Sequence, residues 1–168
     1  MSMNQIVETV RTFDGILELA PRPESEFPEI AWGDHFFYYA PDRQVPRNYQ
    51  PFATIVTKDY PGEPSSNLDP DGRYRVNIDV GRAEFTELIG ETPREFNSLE
   101  SGSYDFSAAD VFLPHPAYGA RGWIAVVNPS HGTMPTLNEL LRAAYERQRR
   151  QVTRRAQERD RNDESRAI

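Results

Sequence analysis

His115 stands between two prolines in the run Leu113-Pro114-His115-Pro116. Pyrrolidine rings on both sides restrict the backbone, so the imidazole is presented rigidly, as an acid/base or an orienting hydrogen-bond group requires. A rigid corner whose ring caps its own backbone fits the same residues. Lys58, the sole lysine beside 18 arginines, ends a β-branched run and is followed by Asp59 and Tyr60. An ammonium group there suits an anion anchor or a base, with Asp59 as its partner; an ordinary ion pair at a strand end is the plainer reading. Arg73, Arg75, Asn77 and Asp79 alternate with Tyr74, Val76, Ile78 and Val80. Facing a concavity, Arg75 and Asn77 would recognise a carboxylate or an amide. Antiparallel sheets commonly leave such a face in water, and a solvated face is expected here.

Aromatic residues supply the walls of any such site. Trp32, Tyr118 and Trp123, with His35, are the candidate ligand-binding rings, although aromatics of this kind also fill cores. His35, His115 and His131 are the only histidines, and none has the spacing of a metal motif. No metal and no cofactor is expected. Ser130-His131-Gly132 lacks the elbow of a nucleophilic serine.

These groups must be held by a folded core. The chain has 168 residues, 38% of them hydrophobic, with nine Phe and eight Tyr. That length suits one domain. The absence of cysteine removes disulfides, thiolate metal sites and thiol nucleophiles together. No apolar run approaches the ~20 residues of a membrane span, and the start, Met1-Ser2-Met3-Asn4, has no leader-like pattern. A cytoplasmic protein is expected. The net charge of −7 is uneven, because residues 146–168 carry eight Arg against five acids and everything before them is net −10. An acidic core is the reverse of a phosphate-binding footprint, so nucleic acid is not an expected partner. Interleaved acids make the Arg-rich end a solvated helix rather than a basic patch.

Local signals place the elements. Ser2-x-x-Gln5 is a capping box before Ile6, Val7 and Val10 at helical spacing, which predicts a helix over residues 3–13. A short strand follows at residues 16–20. Residues 29–32 and 35–39 flank Gly33-Asp34, which predicts a hairpin. Strands are expected at 52–58, 73–80 and 122–128, with a long loop at 59–72 between the first two. Residues 83–89 and a start at Thr92-Pro93-Arg94-Glu95 predict short middle helices. The last helix is expected from about Pro135, capped by Thr136 and Glu139, and fraying beyond Val152. The fold class is therefore α+β: a single curved, mostly antiparallel sheet with an N-terminal helix, short middle helices and a C-terminal amphipathic helix packed on it. The domain is expected over residues 1–150, with 151–168 as a charged extension or frayed tail.

Three stretches carry a resemblance. They are E-I-A-W-G-D-x-F-F at residues 29–37, F-A-T-I-V-T-K-D-Y-P-G at 52–62, and L-P-H-P-x-Y-x-x-x-G-W-I-x-V-x-N-P at 113–129. Together they resemble a mainly actinobacterial family of domain-of-unknown-function status, over roughly residues 3–150. The layout, with the segment from His115 to Trp123, is also similar to the MmcQ/YjbR-like proteins, although Phe13-Asp14-Gly15-Ile16 departs from their start. That resemblance implies a YjbR/CyaY-like shape with a bent antiparallel sheet, and it brings no catalytic residues. The functional expectation is a small-molecule or partner-binding domain, monomeric or homodimeric, without a complete catalytic set. The alternative is a small enzyme of specialised metabolism, with His115 as acid/base and Lys58 or Arg75 anchoring an anionic substrate. The enzyme reading requires Lys58, Asp59 and His115 to converge in one pocket.

Overall fold

The computed structural model describes residues 2–97 and 103–167. Among them run α1 (Met3–Arg11), β1 (Ile16–Leu19), β2 (His35–Tyr39), β3 (Ala53–Val56), β4 (Arg75–Asp79), α2 (Gly81–Ile89), β5 (Leu113–Pro114), β6 (Trp123–Val127) and α3 (Met134–Arg166). The strands form one open sheet in the order β1-β2-β3-β4-β6-β5, with every pairing antiparallel. This is the expected α+β class, with one middle α-helix.

Alternation along the strands gives the sheet two unlike faces. Phe37, Ile55, Val76, Ile78, Ile124 and Val126 point to one side, where they join Ile6 and Val10 of α1, Phe85 of α2, and Leu137, Leu141 and Tyr145 of α3. Each such large side chain, once buried, contributes roughly 1.5–3 kcal/mol. The opposite face carries Phe36, Thr54, Asn77 and Ala125, which stand across from one another on successive strands. Among the described residues no α-helix joins that face.

Several local expectations fail for tertiary reasons. Residues 29–32 do not form a hairpin strand. Ala31 N–H bonds Pro28 and Trp32 N–H bonds Glu29 in a short 3-10 turn, and β2 pairs instead with β1, Leu19 opposite Phe36. Gly33, at φ +87°, lets the chain turn so that Asp34 points inward. Thr92 and Glu95 make the reciprocal bonds of a capping box, Thr92 N–H to Glu95 at 2.8 Å and Glu95 N–H to Thr92 at 3.2 Å. The box closes a single turn rather than starting a helix, and residues 98–102 lie outside the described set.

At the last helix Thr133, not Thr136, is the cap residue. The N–H groups of the turn that leads into it are taken by a distant carboxylate. Asp110 accepts from Ser130 N–H at 2.7 Å, Gly132 N–H at 2.9 Å, Thr133 N–H at 3.0 Å and the Thr133 hydroxyl at 2.7 Å. The helix continues to Arg166 rather than fraying beyond Val152, so residues 151–166 are a charged helical extension with mostly exposed side chains.

The Thr133 hydroxyl and the backbone donors hold the Asp110 carboxyl down at about 2. The folded state then binds its proton more weakly than the unfolded chain, so this stabilisation is present above the ordinary Asp range and lost as pH falls through it toward that value. Urea midpoints measured over an acid pH series should therefore fall less steeply in Asp110→Asn than in the wild type. An unchanged slope would contradict this bracing role.

Candidate functional site

On the sheet face away from the helices lies a cavity of about 680 Å³. Its floor is a chain of side chains from β3 and β4. Arg75, 2% exposed, donates through Nε to Asn77 Oδ1 at 2.8 Å. Asn77, 1% exposed, donates through Nδ2 to the Thr54 hydroxyl at 3.0 Å. The remaining guanidinium contacts reach the loop that follows β3, with Nη1 on the Ser66 hydroxyl at 2.9 Å and Nη2 on the Glu63 carboxylate at 3.1 Å. The second face of β4 is thus buried and paired, not solvated as its alternation suggested. The cause is the 59–72 loop, which folds over it.

That loop is braced from two carboxylates. Asp34, fully buried, accepts from Thr57 N–H at 2.8 Å, the Thr57 hydroxyl at 3.0 Å and the Tyr60 hydroxyl at 2.5 Å. Burial raises its pKa, partly offset by those three donors. Burial and the Asp34 carboxylate likewise push the Tyr60 phenol well up, so it stays a donor. Asp59 accepts from Ser66 N–H, Leu68 N–H and the Ser65 hydroxyl at 2.8–3.1 Å. Burial acts to raise its pKa, but those bonds outweigh it and leave the carboxyl below the usual range. Its oxygens tie the loop to itself and do not line the cavity.

The far wall is the segment between β5 and β6. The His115 and Tyr118 rings lie tilted against each other with centroids 4.8 Å apart, and Trp123 meets both at 6.1–6.2 Å. Arg121 lies over Tyr118 at 5.7 Å from its centroid. Phe27, Phe36 and Tyr38 close the other side. Pro116 has no N–H to give, and the next two amides, Ala117 and Tyr118, both donate to His115 Nδ1 at 3.0 Å. A ring nitrogen that accepts two N–H bonds carries no proton, so the neutral imidazole holds its hydrogen on Nε2. Burial, with Arg75 nearby, lowers the pKa of His115 well below the ordinary value. In this state His115 is an uncharged donor, not a base.

Nitrogen NMR of His115 should show an unprotonated Nδ1 and a protonated Nε2, with no titration through the ordinary histidine range. The unfolded chain takes up that proton at its usual pKa and the folded chain does not, so this residue makes stability fall as pH drops below the ordinary range. A normal titration curve would refute the assignment.

Of the residues singled out by sequence, Arg75, Asn77, His115, Tyr118 and Trp123 meet in the cavity. Lys58, Asp59, Trp32 and His35 do not line it. Lys58 Nζ bonds the Trp32 carbonyl and lies 3.3 Å from the Thr57 hydroxyl. The Trp32 indole donates to the Phe27 carbonyl at 3.1 Å. His35 projects to the opposite face of the sheet, 2.7 Å from Glu18, whose other oxygen takes Arg11 Nε at 2.6 Å. Burial acts to raise the Glu18 pKa, but its bonds to Arg11 and His35 prevail and lower it. The convergence that the enzyme reading needs is therefore absent for Lys58 and Asp59. Sequence reasoning missed Thr54, Tyr60, Glu63 and Arg121. Thr54 stood in a recognised strand and Tyr60 beside Lys58-Asp59, but Glu63 had no signal beyond its place in a long loop.

The two cavity carboxylates are both paired, Glu63 with Arg75 and Asp79 with Arg147 at 2.7 Å. Among the described residues no group of three or more His, Cys, Asp or Glu could hold a metal ion. What the arrangement can do is enclose an apolar body between rings and hydrogen-bond it from the floor. Fold and cavity together define an α+β protein with helices on one face of an antiparallel sheet and a ring-walled cavity on the other. The chain belongs to a family of unknown function, DUF6194, whose model matches residues 1–157. No curated protein and no solved structure matches it. No helix among the described residues is long and apolar enough to cross a membrane.

Proposed function

We propose that the protein is a small-molecule-binding domain whose ligand occupies the cavity over Arg75, Asn77 and Thr54. The observation that carries this reading is a cavity of about 680 Å³ walled by aromatic rings over a buried, hydrogen-bonded polar floor. Sites of this kind are concave, mainly apolar, and oriented by a few placed polar groups. Binding is favoured over turnover because His115 Nδ1 is occupied by two backbone donors and Lys58 lies outside the cavity. A YjbR-like layout, a bacterial source, a cytoplasmic location, a monomeric or homodimeric state and no nucleic-acid partner belong to the same proposal and rest on the sequence. Native mass spectrometry of the full chain tests it. An adduct of small-molecule mass that Trp123→Ala weakens is expected. If the adduct survives unchanged in Trp123→Ala, the ligand sits elsewhere and this cavity is not the site.

A further inference from the structure

Charge and hydrogen-bond direction in the cavity narrow the ligand further; this step rests on the binding reading above. The buried cation, Arg75, already faces Glu63 at 3.1 Å, and Asp79 already faces Arg147. An anionic ligand at the floor would have to displace Glu63 and leave a second carboxylate beside it, half-desolvated and unpaired. Arg121, the other cation, packs on the Tyr118 ring. The floor is therefore electrically balanced.

Its hydrogen-bond polarity is not balanced. Asn77 Oδ1 is taken by Arg75 Nε, which forces its amide nitrogen toward Thr54. Thr54 Oγ1 accepts that bond, and no described residue accepts from its hydroxyl hydrogen. One Asn77 N–H also remains. His115 uses Nδ1 as an acceptor, so its free position is Nε2–H, which no described residue accepts. All three side chains line the cavity. The chain of bonds runs one way and ends in donors.

We infer that the ligand is an uncharged aromatic compound bearing a carbonyl-type acceptor, its ring held between Trp123, Tyr118 and Phe36 and its oxygen received at the donor end of the floor, by the Thr54 hydroxyl and the Asn77 amide. Aromatic walls supply area and offset or edge-on ring contacts. A carbonyl matches buried donors that an acceptor-free ligand would leave unpaired, at the cost that burial of unmet polar groups carries.

Four naphthalene probes of similar size test this with the full chain: acetylnaphthalene, ethylnaphthalene, naphthoate and naphthylmethylamine. Binding is followed through the Trp123 indole N–H resonance, with Trp32, outside the cavity, as the internal reference. Acetylnaphthalene should shift Trp123 and bind about tenfold more tightly than ethylnaphthalene, and more tightly than either charged probe. In Thr54→Val, which keeps side-chain shape and removes the hydroxyl, the gap between acetyl and ethyl probes should narrow. If that variant does not fold, the wild-type ranking alone decides. Equal binding of the acetyl and ethyl probes would overturn the donor assignment while leaving a ligand cavity. Tightest binding of naphthoate or of the amine would overturn the uncharged class. A Trp123 resonance unmoved by every probe would overturn the cavity as a ligand site altogether.

Discussion

Arg75→Met is expected to lower the stability of the fold by about 3–5 kcal/mol, the range for removing one partner of a buried ion pair. Methionine fills similar length but cannot donate. The substitution leaves the Glu63 carboxylate, Asn77 Oδ1 and the Ser66 hydroxyl without the partners that now lie 2.8–3.1 Å away. The dominant loss is the carboxylate, because Glu63 is itself largely buried, with a side chain 14% exposed. Adding Glu63→Gln to Arg75→Met should therefore restore part of the stability, a positive coupling that chemical denaturation of the four-member cycle would measure. If Arg75→Met alone costs less than about 1 kcal/mol, the value of an exposed pair, the floor is not organised by this guanidinium. The cavity should be affected along with stability, since the Glu63 carboxylate and the Ser66 hydroxyl both reach β4 through Arg75.

The second large effect is expected at Asp34. Truncation to alanine orphans Thr57 N–H, the Thr57 hydroxyl and the Tyr60 hydroxyl. With roughly 1–3 kcal/mol for each buried group left unmet, and some of them regaining water, the loss should be on the order of 3 kcal/mol. Asp34→Asn is the informative companion. Its Oδ1 can still accept from Thr57, and its amide can face the Tyr60 oxygen as donor, so most of the stability should remain. Acid dependence separates the two carboxylates of this fold. Burial raises the Asp34 pKa, so the folded state holds its proton more tightly than the unfolded chain. Ionising it costs stability as pH rises through the ordinary Asp range, the opposite sign from Asp110. Asp34→Asn should remove that penalty at neutral pH. Relative to the wild type, the fall of the urea midpoint with acid should become steeper in Asp34→Asn and shallower in Asp110→Asn; changes of the same sign would contradict the burial of Asp34 as a charged brace.

The elements that local chemistry specifies were legible in the chain. The Ser2–Gln5 capping box forms on α1, with Ser2 N–H on the Gln5 side chain at 2.7 Å. The alternation of residues 73–80 becomes β4, and the apolar spacing of Leu137, Leu141 and Tyr145 becomes the packed face of α3. Each of these signals lies within one or two turns or a single strand, where spacing alone states which side is apolar. The family was legible for a similar reason, since its resemblance lay in contiguous runs and the match extends over residues 1–157.

Half of the site was visible and half was not, and the division has one cause. Arg75, Asn77, His115, Tyr118 and Trp123 stood out by residue type or by rigid flanking prolines, and they do meet. Their meaning depended on partners far along the chain. Whether the polar face of β4 met water or a lid was decided by Glu63 and Ser66 reaching back 9–12 residues to Arg75. Whether Gly33-Asp34 turned a hairpin was decided by Thr57 and Tyr60, more than 20 residues later, which drew the carboxylate inward. Asp110 braces the turn that leads into a helix beginning at Met134, although it stands in no helix of its own. The proton on His115 follows from two amides that fold back onto its ring. By itself the sequence determined the periodicities, the caps next to their helices, and the residue types able to do chemistry. Tertiary structure alone decided which polar groups were desolvated and which atom met which, because a hydrogen bond across the fold leaves no periodic trace in the chain.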